Sequence, residues 1–126
     1  MKINKIILAE DDPSTRLVIA RGVESTGKYT VIESSNGARA WDVLNDNSGI
    51  KMLITDMQMP DMDGNELIAK IRSSKKFSKI PILVVSGVVG PNDIHKILEE
   101  GATRFLPKPI NLKHLMEYVE ALLSES

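Results

Sequence analysis

Four places along the chain carry the residue types that handle hard oxygen chemistry. Glu10, Asp11 and Asp12 stand directly after the apolar run Ile6-Ile7-Leu8-Ala9, and Asp56 follows Met52-Leu53-Ile54-Thr55. Ser86 follows Ile82-Leu83-Val84-Val85, and Lys108 follows Phe105-Leu106-Pro107. Brought together, these groups make a pocket of carboxylates, one hydroxyl and one cation. Two carboxylates 4 Å apart repel by up to about 4 kcal/mol at an effective dielectric of 20, unless a cation lies between them. Mg²⁺ suits such a pocket, because it takes one or two carboxylates and completes its shell with water and phosphate oxygens.

The pocket exists only if the chain folds so that the four places meet. Apolar runs alternate with helix-period segments over the whole length, which predicts parallel strands joined by crossover helices, an α/β fold. Strands are expected at about 4–10, 29–33, 50–56, 80–86 and 103–107, and their continuous apolar runs imply cover on both faces. Asp12-Pro13 starts a helix on which Leu17, Ala20 and Val23 share a face until Gly27. Asn36 caps a second helix through Ala40, Trp41 and Leu44, and Gly64 leads into a third through Leu67, Ile68 and Ile71. A fourth runs from Gly90-Pro91 with Ile94, Ile97 and Leu98 to Gly101; Asn111 caps the last, with Leu112, Leu115, Met116, Val119 and Leu122 in the i, i+3, i+4, i+7 pattern. Five βα units give a doubly wound sheet, flavodoxin-like, of order 2-1-3-4-5. Its ligands bind at the carboxyl ends of the strands. Asp11 and Asp56 then lie side by side.

Composition narrows the chemistry. The 126 residues, 42% of them hydrophobic, read as one domain, 1–126, with no output domain in this chain. Sixteen Lys+Arg against 17 Asp+Glu leave a net charge of −1, which gives no field for nucleic acid or an acidic membrane. The absence of cysteine excludes disulfides, thiolate zinc sites, Fe–S clusters and cysteine nucleophiles. Residues 1–5 lead into only four apolar positions before the acids, so neither a signal peptide nor a membrane span is read there. A cytoplasmic setting is the expectation.

The elements Ile7-Leu8-Ala9-Glu10-Asp11-Asp12, Ile54-Thr55-Asp56-Met57-Gln58-Met59-Pro60 with Asp63-Gly64, Val84-Val85-Ser86-Gly87 and Phe105-Leu106-Pro107-Lys108-Pro109 occur in order, each at an expected strand end. In this the chain resembles the receiver domain of two-component response regulators, chemotaxis receivers included, over essentially its whole length. The resemblance implies a phosphorylation-dependent signalling switch, not an enzyme beyond its own phosphorylation and dephosphorylation. Asp56 would accept a phosphoryl group from the phosphohistidine of a sensor histidine kinase or phosphotransfer protein. Mg²⁺ would be held by Asp11, by Asp56, by the Gln58 main-chain carbonyl and by Glu10 through water or as support. Ser86 and Lys108 would each engage a phosphoryl oxygen, and a cis Lys108–Pro109 bond would aim the lysine. Ser86 and the aromatic Phe105 would relay the change to the surface of helix 4, strand 5 and helix 5. A downstream protein or a missing output domain reads it there. Gln58 and Val88 occupy positions that vary in the family and tune phosphoryl lifetime, and Gly87 stands where alanine is frequent.

Other readings fare worse. Asp61-Met62-Asp63 resembles the nucleophile motif of haloacid-dehalogenase-type hydrolases, but Met59-Pro60 stands where that motif needs a strand. An EF-hand fails because Glu66 and Arg72 occupy its glycine and final glutamate positions. A dinucleotide site wants glycines where Glu10, Asp11 and Asp12 stand. A receiver that no longer accepts phosphate is the remaining alternative, and the full set of acceptor, acids, hydroxyl and lysine argues against it. Asp12 is read as a helix cap, Trp41 as packing, and His95 and His114 as surface residues. The basic run Lys70, Arg72, Lys75, Lys76 and Lys79 is read as a helix end and solvated loop.

Overall fold

The computed structural model describes residues 4–87 and 90–124. Val88 lies outside the described residues. Five strands and five helices alternate: β1 (Asn4–Ala9), α1 (Pro13–Glu24), β2 (Tyr29–Ser34), α2 (Gly37–Asp46), β3 (Ile50–Thr55), α3 (Gly64–Ser73), β4 (Ile82–Ser86), α4 (Pro91–Glu99), β5 (Arg104–Pro107) and α5 (Leu112–Ser124). The sheet is parallel, in the expected order β2-β1-β3-β4-β5.

Because side chains alternate along a strand, each apolar run feeds two cores. Ile6, Leu8, Met52, Ile54, Leu83 and Val85 point to the side covered by α1 and α5, where they meet Ile19, Val23, Leu115 and Val119. Ile7, Ala9, Leu53, Ile82 and Val84 point to the side of α2, α3 and α4, where they meet Leu44, Leu67, Ile68 and Ile71. Each fully buried aliphatic side chain stabilises by about 1.5–3 kcal/mol, so both layers are needed to hold the strand ends in register.

The caps follow the sequence. The Asp12 side chain accepts from the Thr15 N–H at 2.8 Å, Asn36 from Arg39 at 2.8 Å, and Asn111 from His114 at 3.1 Å. The third helix is capped by Asp63, whose carboxylate takes the Glu66 N–H at 2.9 Å.

Three helix faces differ from expectation. On α1 the buried stripe is Ile19, Ala20 and Val23, and Leu17 is 45% exposed. On α4 only Ile97 is buried, with Leu98 exposed and Ile94 half-buried. Leu112 at the start of α5 is exposed, though its methyls lie against Gly22 of α1. On α4 the cause is the sheet beneath it, since β5 is an outer strand of four residues and leaves the helix little to cover.

Arg72 corrects the reading of the basic run. Its guanidinium is half-buried and donates to Gly101 O at 2.9 Å, Ser78 O at 3.0 Å and Ile80 O at 2.7 Å, so it ties the end of α3 to the loops before β4 and β5. Burial pushes its pKa down from the ordinary value. The outer strand β2 also has a side-chain partner: the Glu24 carboxylate accepts the Val31 N–H at 3.0 Å. Among the described residues, no helix is long and apolar enough to cross a membrane.

Candidate functional site

The carboxyl ends of β1, β3, β4 and β5 converge as the strand order requires. Lys108 joins the two ends of the chain: its Nζ donates to Asp56 Oδ2 at 2.8 Å and to Glu10 Oε1 at 2.9 Å. The other Asp56 oxygen, Oδ1, accepts the Met57 N–H at 2.6 Å. Carboxylate oxygens of Glu10, Asp11 and Asp56 lie within 4.8 Å of one another, with Glu10 and Asp56 buried and Asp11 exposed. The site therefore has one open acid on its rim and two acids gripped below it.

Burial separates their roles. Glu10 is 1% exposed, and desolvation raises its pKa above the ordinary carboxylate value despite the Lys108 hydrogen bond and the Asp12 N–H at 3.2 Å, with the nearby Asp56 charge adding to the rise. Desolvation alone would depress the Lys108 pKa. The hydrogen bonds to Asp56 and Glu10 outweigh it and raise the ammonium above its usual range. The donor set is all oxygen, open on one side, and fits a small divalent cation. Among the described residues no hydrogen bond takes up the carbonyl oxygen of exposed Gln58, which leaves it available as a ligand.

Ser86 is 5% exposed and ends β4; its carbonyl accepts the Lys108 N–H at 2.7 Å. Its hydroxyl bonds to no described residue and lines a groove of about 740 Å³ between the β3–α3 loop and α4. Phe105 sits opposite Val84 in the β4–β5 register, half-buried against the core layer beneath α4. The Lys108–Pro109 bond is cis.

The loop after Asp56 is held by close backbone approaches. A Cβ at Gly64 would stand 2.5 Å from Asp56 O and 2.8 Å from Met57 Cα, so only glycine lets α3 begin against the acid-bearing turn. The same holds at Gly37, where a Cβ would meet Met62 O at 2.4 Å. Asp61 takes φ 66° and its carboxylate accepts from Asn36 Nδ2 at 3.2 Å, while Asp63 caps α3. Neither of this pair stands at a strand end.

Sequence reasoning missed Arg16. Its guanidinium donates to Glu10 O at 2.8 Å and pairs with Glu33 at 3.3 Å, fixing the backbone of the acid loop from below. A cation one turn into the helix after the acids was the available signal. His95 and His114 are exposed, as expected, and Trp41 packs edge-on against Phe77 with ring centroids 6.2 Å apart.

Comparisons with known proteins point one way. The model of the response regulator receiver domain matches residues 6–120. The chain is 34% identical over 119 residues to a chemotaxis protein CheY homolog of Campylobacter jejuni, covering 94% of this chain and 92% of that one. It is 38% identical over 104 residues to the two-component response regulator ORR11 of rice, Oryza sativa, covering 82% and 71%. Its fold superposes on a putative response regulator from Chloroflexus aurantiacus with a TM-score of 0.91 at 24% identity, covering 98% and 99%.

Proposed function

The chain belongs to the response regulator receiver domain family, a family of two-component signalling modules, and from that premise we propose that Asp56 is its phosphoacceptor. The observation that carries the reading is the Lys108 ammonium, bonded at once to Asp56 and Glu10 beside the exposed Asp11.

In this reading an Asp56 carboxylate oxygen attacks phosphorus in the phosphohistidine of a histidine kinase or phosphotransfer protein. The P–N bond breaks, its electron pair returns to the imidazole nitrogen, and an acyl phosphate remains on Asp56. Such a transfer spreads negative charge over the phosphoryl oxygens, so placement of cations and donors is the main task of the protein. Lys108 pairs with one phosphoryl oxygen, and the free Ser86 hydroxyl donates to another. Asp11, Asp56 and the Gln58 carbonyl would hold Mg²⁺, which would neutralise oxygen charge, with Glu10 supporting it through water or by holding Lys108 in place.

The switch uses the same atoms. Ser86 moves toward the new acceptor oxygens, Phe105 turns into the space left between β4 and α4, and the surface of α4, β5 and α5 changes for a partner. The chain acts as a single receiver unit in the cytoplasm. Its target is a downstream protein or an output domain.

A small phosphodonor with Mg²⁺ is expected to add one hydroxylamine-sensitive phosphoryl group by intact mass, and Asp56→Asn to abolish it. Labelling of Asp56→Asn at the unaltered rate would sink the assignment.

A further inference from the structure

The end of the sheet away from the acids holds a second cavity, of about 490 Å³, at the start of β3 and the loop before β4. Three exposed lysines, Lys51, Lys76 and Lys79, line it, and among the described residues its lining has no carboxylate. Lys28, Lys96 and Lys108 each pair with an acid elsewhere, but no described carboxylate lies within 4 Å of these three ammonium groups. Ile50, Ile80 and Pro81 give the same cavity an apolar wall.

Lys51 stands on β3, and the loop that presents Lys76 and Lys79 has a fixed shape. Phe77, buried between Lys76 and Lys79 in sequence, anchors it against Trp41. Arg72 holds Ser78 O and Ile80 O, and the Ile80 N–H returns to Phe77 O at 3.2 Å. The like charges are thus gathered by structure around a concavity whose walls focus their field. Binding an anion relieves their mutual repulsion.

We propose that this cavity binds a nucleoside di- or triphosphate, with its phosphates on Lys51, Lys76 and Lys79 and its nucleoside against Ile50, Ile80 and Pro81. Three ammonium groups match a polyphosphate in charge, and a cavity of this size lies within the range of small-ligand sites. Inorganic phosphate alone would leave the apolar wall uncovered. A duplex nucleic acid is too broad for a concavity of this size and would meet a chain whose net charge is −1.

The test is an amide NMR titration of the whole chain with ATP in EDTA, so that the acid cluster draws no metal–nucleotide complex. Saturable shifts are expected at Ile50, Lys51 and residues 76–80, weakening with added salt as exposed charges are screened. The double variant Lys51→Gln/Lys79→Gln should raise Kd at least about tenfold, and tripolyphosphate should bind about tenfold more weakly than ATP. Adenosine should not saturate. Lys75→Gln, outside the lining, should leave Kd unchanged, and the double variant should accept phosphate on Asp56 at the original rate. Shifts confined to Glu10, Asp56 and Lys108, or no saturation at millimolar ATP, would overturn the site. Tripolyphosphate binding as tightly as ATP would overturn the nucleoside, and tighter binding of anionic vesicles or duplex DNA through the same lysines would overturn the ligand class.

Discussion

α3, with the loop that leads into it, and α4 flank one groove beside Ser86, yet the two helices are held by different means. α3 buries Gly64, Leu67, Ile68 and Ile71, is capped by the Asp63 side chain, and is tied at its far end by Arg72. α4 buries Ile97 alone and begins at Gly90, which has no side chain to cap it; its N–H instead donates to Asp93 Oδ2 at 3.1 Å. One wall is anchored to the loop that carries Asp56 and the other rests lightly on the sheet. On the proposed reading, a charge added at Asp56 is met by movement on the α4 side, where fewer buried contacts must be broken.

Substitutions can break that contrast or sharpen it. Leu67→Ala, at a fully buried α3 position, is expected to cost about 3–5 kcal/mol by urea unfolding, the range for a cavity in a packed core. A loss under 1 kcal/mol would mean that α3 is no better anchored than α4. Gly64→Ala forces a methyl into the Asp56 backbone and should cost about 1–3 kcal/mol, with a slower labelling rate at Asp56. Labelling at the original rate would detach the glycine from the acceptor turn.

A smaller effect depends on pH. Burial raises the Glu10 pKa, so the folded chain binds this proton more readily than the unfolded one. The stability that Glu10 contributes is present below the unfolded value of about 4.3 and is lost as pH rises through the folded value. In EDTA, Glu10→Gln should therefore melt higher than the original chain at pH 7, and the gap should close toward pH 4. A lower melt at pH 7 would make the Lys108 pair the stronger influence. Last, Leu98→Ala on the exposed side of α4 should change stability by no more than about 0.5 kcal/mol.

Much of this was legible in the residues. Ile6–Ala9 and Ile82–Val85 are continuous apolar runs, which only strands covered on both faces explain, and the residue after each run fell at the crevice. Asp12, Asn36 and Asn111 announced helix starts because capping is local chemistry. Arg72 was hidden because its acceptors are carbonyls of loops far along the chain, invisible in a pattern of side chains. Gly64 read as a helix entrance, and its real constraint, the backbone of Asp56, is a tertiary contact. On α4 the spacing of Ile94, Ile97 and Leu98 gave a correct period but not the extent of sheet beneath. That extent is small, because β5 is an outer strand of four residues.

The carboxylate of Glu24, resting on the Val31 N–H of the outer strand β2, also bears on how this molecule meets others. A lone sheet margin invites a foreign strand to add itself through main-chain pairing, which is indifferent to sequence. Here one rung of that ladder is already taken by the molecule's own side chain, and the opposite margin ends in Pro107, which has no N–H to offer. Strand addition is thereby disfavoured at both margins, which leaves contacts with other molecules to side-chain surfaces rather than to the main-chain ladder.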